Sequence, residues 1–246
     1  MTRQTPDSAQ FFLTTESECP YLDGHRERKL FTHLSGRRAH MMHALLSDHG
    51  FRRSQNLVYR PACDGCEACR SVRIVVGKFS PGKSLRRIGA ANRDITAIAG
   101  PPQVTAEQYD LFQRYLRARH AGGGMTQMSF VDYEFMVEDT PVDTMIVEYR
   151  IEDGVDRPLA GVALTDRLPN GLSMVYSFFD PRHAERGLGN YMILEHIARA
   201  AAAELGYVYL GYWVKNSPKM AYKARFGPLE VQSGPSGWRP LDPEAG

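Results

Sequence analysis

The sequence predicts an α+β protein of two domains, a small cysteine-bearing N-terminal domain over residues 1–100 packed on a C-terminal domain over residues 101–246 with a mixed, mostly antiparallel sheet. Three observations carry this. At 246 residues the chain exceeds the usual size of one domain and has enough apolar residues for a real core. The run Gly100-Pro101-Pro102 breaks regular structure, and beyond it the composition changes from Arg-rich to ordinary. The second half holds three successive strand-like runs joined through Asp153-Gly154 and Asn170-Gly171 turn signals, which reads as an antiparallel meander.

The elements follow in order. A helix is expected from about Arg37 to Asp48, with Met41, Leu45 and Leu46 at helical spacing and Gly50 as its stop. Strand-like runs follow at Leu57 to Tyr59 and Val72 to Val76, then a basic helix near Ser84 to Arg93 and apolar Ile95 to Ile98. Beyond the break, Thr105 with Gln108 forms a capping-box pair, and Tyr109, Phe112, Tyr115 and Leu116 line one helical face until about His120. The glycines 122–124 are loop. A helix over Val131 to Val137 leads to the strands Thr144 to Ile151, Leu159 to Thr165 and Leu172 to Phe179. A helix over Leu188 to Leu205, a strand over Tyr207 to Tyr212, a short helix begun by Ser217-Pro218 and a strand near Glu230 to Gln232 complete the series. That element order is the order of the acetyltransferase-like (GNAT) fold. The tail from Gly234 to Gly246, rich in Pro and Gly, is expected to be loose.

Net charge is only +2, but between Arg26 and Arg93 fifteen basic residues face four acidic ones, an excess of eleven that suits a polyanion. No apolar run approaches the roughly 20 residues that span a bilayer, and the polar start does not resemble a signal peptide. A cytoplasmic protein with no membrane partner is expected.

All four cysteines lie in the first part: Cys19, then Cys63, Cys66 and Cys69 in a C-x2-C-x2-C run. In a cytoplasmic protein this spacing points to metal or redox chemistry, with Cys19 as a fourth ligand. It is compatible with zinc, with an iron–sulfur cluster and with thiols packed as small apolar residues.

Arg186-Gly187-Leu188-Gly189-Asn190-Tyr191, between the third strand and the long helix, has the form of the loop that offers backbone N–H groups to the pyrophosphate of acyl-CoA. Its last position is expected to be small. Tyr191 there would crowd an approaching pyrophosphate, so the loop is expected to keep the fold without coenzyme A. From Gly206 to Leu229 there is no acidic residue, but there are Tyr207, Tyr209, Tyr212, Trp213, Lys215, Lys219, Tyr222, Lys223 and Arg225. Aromatic faces beside positive charge suit an unpaired nucleotide end, with Lys219 and Lys223 on one side of the short helix.

Several separated blocks resemble the bacterial aspartate/glutamate leucyltransferases, relatives of the arginyl-tRNA-protein transferases: Cys19-Pro20-Tyr21-Leu22, Gly50 to Ser54, Tyr59-Arg60-Pro61, the cysteine run, Tyr115 to His120, Phe179-Asp180-Pro181, and Tyr209 to Trp213 through Lys223. The resemblance implies a cysteine-bearing N-terminal domain on a GNAT-like domain that binds aminoacyl-tRNA in place of acyl-CoA. It implies transfer of leucine from leucyl-tRNA to proteins with N-terminal Asp or Glu, marking them for N-degron degradation, with arginine as the alternative donor. The C-x2-C-x2-C run and Leu22, where the eukaryotic relatives carry a second cysteine, favour the bacterial branch.

For this reaction no cofactor is required, because the donor ester is already activated and positioning matters more than a strong base. Arg52, Arg53, Arg60 and Arg119 are candidates for the acceptor's carboxylate, which Arg pairs bidentately. Tyr176, Ser177 and Asp180 are candidates to touch the aminoacyl group. Tyr212, Trp213, Lys215, Lys219, Tyr222 and Lys223 are candidates for tRNA, and His120 for a base or a structural histidine. A small-molecule acetyltransferase and a non-catalytic metal-and-RNA-binding module are the rival readings.

Overall fold

A computed structural model of the chain describes residues 9–119, 124–215 and 217–242. The first part forms β1 (Phe12–Leu13), β2 (Ser17–Glu18), β3 (Arg26–Glu27), β4 (Lys29–His33), α1 (Ala39–Asp48), β5 (Arg52–Ser54) and β6 (Leu57–Pro61). Next come β7 (Arg70–Val75), α2 (Lys83–Ala91), β8 (Ile95–Gly100), α3 (Ala106–Arg119) and α4 (Phe130–Glu138). The meander is β9 (Thr144–Ile151), β10 (Leu159–Leu168) and β11 (Gly171–Phe179), followed by α5 (Leu188–Ala202), β12 (Tyr207–Trp213), β13 (Leu229–Gln232) and β14 (Trp238–Pro240).

A small sheet, β1-β4-β6-β5, belongs to the N-terminal part, and an eight-stranded sheet runs β14-β13-β7-β12-β11-β10-β9-β8. In the large sheet only β11 and β12 are parallel; every other pairing is antiparallel. This is the GNAT-like α+β architecture expected. The composition change at Gly100 does not separate two sheets, however: β7 and β8, both from the first hundred residues, are strands of the same sheet as β9 to β13. Backbone pairing across the sheet is non-local and leaves no trace in local composition, so the large sheet crosses the expected boundary.

Strand alternation places Met145, Val147 and Tyr149 under α5 and α2, with Met192, Ile193 and Leu85, while Ile146 turns to the opposite face with Phe112, Leu116 and Tyr133 of α3 and α4. The expected capping box is formed, the Gln108 amide donating to Thr105 Oγ1 and the Thr105 amide to Gln108 Oε1, each at 3.2 Å. In α1 the periodicity misleads. Of the three expected positions Leu46 is buried, but Met41 and Leu45 are 66% and 60% exposed, and His43 is buried beside Leu46. The tail expected to be loose holds β14, which pairs with β13, and its Trp238 ring lies 4.2 Å from the Arg73 guanidinium. No helix among the described residues is long and apolar enough to cross a membrane.

Candidate functional site

β11 and β12 pair only through Gly171↔Tyr207, Leu172↔Val208 and Ser173↔Tyr209, and then part. Two carbonyls of β11 beyond that point, Met174 O and Val175 O, lose the strand that would have bonded them, and buried carbonyls need a donor. Arg52 supplies it. Projecting from β5 of the small sheet, its Nη2 donates to Met174 O at 3.2 Å and Val175 O at 3.0 Å. Gly211 allows the insertion. Its φ of +72° bends β12, and a Cβ there would lie 2.0 Å from Arg52 Nη1. On the next residue the Tyr212 hydroxyl donates to Tyr59 O at 2.8 Å and Gly50 O at 3.2 Å, fastening β12 to the small sheet.

Tyr222 lies within electrostatic reach of this guanidinium, and Tyr115 lies within reach of both Tyr222 and Tyr176. Burial raises the Tyr222 hydroxyl despite the opposing charge of Arg52, and burial with a smaller contribution from Tyr115 raises Tyr176. Both phenols are therefore protonated, hydrogen-bond-donating groups at neutral pH. Tyr222 is 39% exposed, and Tyr176 and Ser177 are half-buried on the strand that borders the gap. Behind them Lys223 is buried, its Nζ donating to Tyr212 O, and burial followed by the charge of Arg52 holds its ammonium well below the usual lysine range.

Several expected assignments change. Arg53 does not reach an acceptor. It is buried and grips Asp166 through Nε at 2.6 Å and Nη2 at 2.7 Å, because alternation along β5 turns it inward where Arg52 points to the gap. Asp180 is also committed: it caps the 3-10 turn over Pro181–Arg186, accepting from the Arg182 amide at 3.0 Å, and pairs with Arg182 and, at 3.4 Å, Arg114. Burial would raise its carboxyl, but these partners outweigh burial and hold it at about 2. Tyr212 and Trp213 are 3% and 4% exposed and cannot be stacking platforms for a nucleotide. Lys219 is exposed while Lys223 is buried, since the segment is a turn followed by a 3-10 helix over Ala221–Phe226 and not an α-helix. Arg60 is exposed over the Phe51 ring, Arg119 lies at the end of α3 over Phe179, and Lys215 is half-buried. His120 lies outside the described residues.

The glycine turn is closed by a neighbour the sequence did not reveal. Gly187, at φ +65°, sits 3.5 Å from Ile88 of α2 when its Cβ is built. Arg186, the residue a pyrophosphate would use, bonds Asn92 Oδ1 at 3.0 Å and Ala91 O at 3.1 Å and pairs with Asp94. Tyr191 is drawn aside, its hydroxyl donating to Ile95 O at 3.3 Å. Ile88 of α2 thus packs beside the turn, Arg186 is already engaged, and Tyr191 points elsewhere.

Cys19, Cys63, Cys66 and Cys69 line one cavity with Tyr21, His25, Tyr59 and Tyr212. Among the described residues, though, no three His, Cys, Asp or Glu side chains are disposed to hold a metal ion. Cys63 Sγ is engaged with the Arg28 backbone, donating to its carbonyl at 3.7 Å, and burial with the three other thiols pushes Cys69 up to about 12. Cys19, Cys63, Cys66 and Cys69 are the residues that would hold the zinc ion or iron–sulfur cluster the spacing suggests, and no chemistry is routed through one.

The fold and the gap define a protein of the acetyltransferase-like architecture. Residues 17–87 match the family described as arginine-tRNA-protein transferase, N terminus, and residues 107–233 match its C terminus. The chain is 56% identical over 237 residues to the aspartate/glutamate leucyltransferase of Sinorhizobium medicae, covering 94% of this chain and 92% of that one. It is 53% identical over 246 residues to that of Brucella ovis, covering 97% and 98%. Among solved structures, L-PGS from Bacillus licheniformis is similar at TM-score 0.48 and 12% identity, over 84% of this chain and 69% of that one. The chain belongs to the arginine-tRNA-protein transferase family, and it is an aminoacyl-tRNA-protein transferase.

Proposed function

We propose that the protein transfers leucine from leucyl-tRNA to the α-amine of proteins that begin with Asp or Glu, marking them for degradation in the cytoplasm. The bond formed is the amide between the acceptor's nitrogen and the leucyl carbonyl carbon. The bond broken is the ester to the terminal ribose, whose oxygen leaves with the proton the amine gives up. The observation that carries this reading is the gap between β11 and β12, where a cation bonds the strand that borders an acyl donor in this fold and that strand carries the protonated phenol of Tyr176.

In this reading Arg52 places its charge beside the reaction centre and steadies the acceptor's carboxylate, while Tyr176 and Tyr222 donate to the tetrahedral oxyanion. Ser177 lies on the same strand as Tyr176, within the region expected to contact the leucyl group. Arg60 and Arg119 remain candidates for the acceptor's carboxylate, and Tyr222, Lys215 and Lys219 remain the tRNA candidates from the last segment. No strong base is needed, since an α-amine with pKa near ~8 is partly neutral at physiological pH.

The test follows labelled leucine or arginine from charged tRNA into peptides beginning with Asp, Glu or Ala. Leucine transfer confined to the acidic peptides is expected; arginine transfer would keep the reaction and change the donor, and no transfer from either would sink it. Acetyl-CoA is expected to leave the melting temperature unchanged, because Arg186 is already engaged.

A further inference from the structure

We propose that the outward face of α2, extended by Lys78, Arg93 and Arg225, is the track for the phosphates near the 3′ end of the donor tRNA, a placement that rests on the aminoacyl-tRNA reading above. The helix is anchored on one side and charged on the other. Leu85 is 3% exposed and Ile88 lies against the Gly187 turn, while Lys83, Arg86 and Arg87 are exposed. Lys83 and Arg87, four residues apart, share a side of the helix with Arg86 next to them. Lys78 precedes the helix and Arg93 follows it, both exposed, and the Arg225 guanidinium reaches Ser84 Oγ at 2.6 Å from the 3-10 helix after β12.

The pattern of pairing sets this ridge apart. From Gly77 to Arg93 the chain has no acidic residue, and Asp94, the first beyond it, is taken by Arg186. Among the described residues, none of these six cations makes an ion pair, unlike Arg150, Arg157, Arg167, Arg182 and Arg199 of the second half, although Arg117, Arg119 and Lys219 are unpaired as well. A surface that merely needed solubility would intersperse both signs. One that keeps like charges together, at the cost of mutual repulsion, suits a polyanion that neutralises them on binding.

Position adds a second argument. α2 lies on the turn where this fold holds the pyrophosphate of an acyl-CoA, and the same turn follows β11, which borders the gap plugged by Arg52. The helix packs on this turn and sets a row of cations beside it, along the way to the gap. A donor with several phosphates leading to its acyl end fits that row; a single pyrophosphate does not.

Binding of a fluorescein-labelled RNA hairpin with the acceptor-stem shape and a single-stranded CCA end, read by anisotropy over a series of salt concentrations, tests this. The variant Lys83→Ala/Arg86→Ala/Arg87→Ala is expected to bind at least ~10-fold more weakly at low salt, with the slope of log K against log salt shallower by roughly 2 to 3. Arg86→Lys/Arg87→Lys, which keeps the charge, is expected to retain the wild-type slope, and all three proteins should melt together because the changed side chains are exposed. Wild-type affinity and slope in the alanine variant would overturn the ridge alone. Failure of the wild-type protein to bind the hairpin would remove both the ridge and the tRNA-donor reading beneath it.

Discussion

Two adjacent arginines of β5 have opposite fates, and the difference is the pleat. Arg52 enters the strand gap, while Arg53 makes a buried bidentate pair with Asp166, which also accepts from Thr144 Oγ1 at 2.8 Å. Removing one partner leaves a buried charge uncompensated, so Arg53→Ala is expected to cost about 3–5 kcal/mol of stability, read by urea unfolding. A stable Arg53→Ala protein with only a raised KM for acidic acceptors would restore it to the acceptor site. Lys223 makes a pH-dependent prediction. Its folded-state ammonium is depressed below 10.5, so the protein is penalised where the unfolded chain is charged and the folded lysine is not; that penalty vanishes above 10.5 and grows as pH falls towards the folded value. Lys223→Met lacks the penalty, and the lost bond to Tyr212 O costs the same at every pH. The melting temperature of the wild type relative to Lys223→Met is therefore expected to climb between neutral pH and 10.5. Parallel curves would show that the lysine is not desolvated.

At the scale of elements, the parting of β11 from β12 is set by Gly211. Gly211→Ala places a Cβ on the Arg52 guanidinium at a positive φ, so Arg52 is expected to leave the gap and kcat/KM to fall by ~100-fold or more while the fold persists. Circular dichroism with transfer kinetics checks this, and undiminished transfer would take Arg52 out of the mechanism. Local signals made much of the element order legible. Thr105 and Gln108 announced α3, Asn170-Gly171 announced the β10–β11 turn, and the apolar run over Tyr207 to Tyr212 announced β12. The site was less legible. The aromatic content of β12 suggested nucleotide stacking, but its Tyr212 is buried against the small sheet and its Trp213 in the main core. No spacing rule reports that a strand will be covered by residues more than a hundred positions away. Arg52 was recognisable as a candidate, but its bonds to two orphaned carbonyls were not, since they exist only once two strands have separated.

The whole molecule is joined by β7. Val75 pairs with Tyr207 on one side and Ile74 with Leu229 on the other, so the first part of the chain lies inside the sheet of the second. Arg73 of this strand, stacked 3.6 Å from the Tyr207 ring and paired with Glu230, ties β12, β13 and β14 together. A fragment of residues 101–246 is therefore expected to be unfolded by circular dichroism, and the intact chain to melt in one transition by calorimetry. A folded, soluble fragment would restore the boundary that composition suggests at Gly100. The same insertion governs the order of events during synthesis. β7 leaves the ribosome long before β12 and β13, so its two edges must wait for partners that are translated near the end of the chain. A prematurely terminated product keeps those edges bare, which makes it a target for chaperones and proteases and leaves Arg52 with no gap to enter. Active enzyme can therefore come only from a nascent chain that has been read through β13.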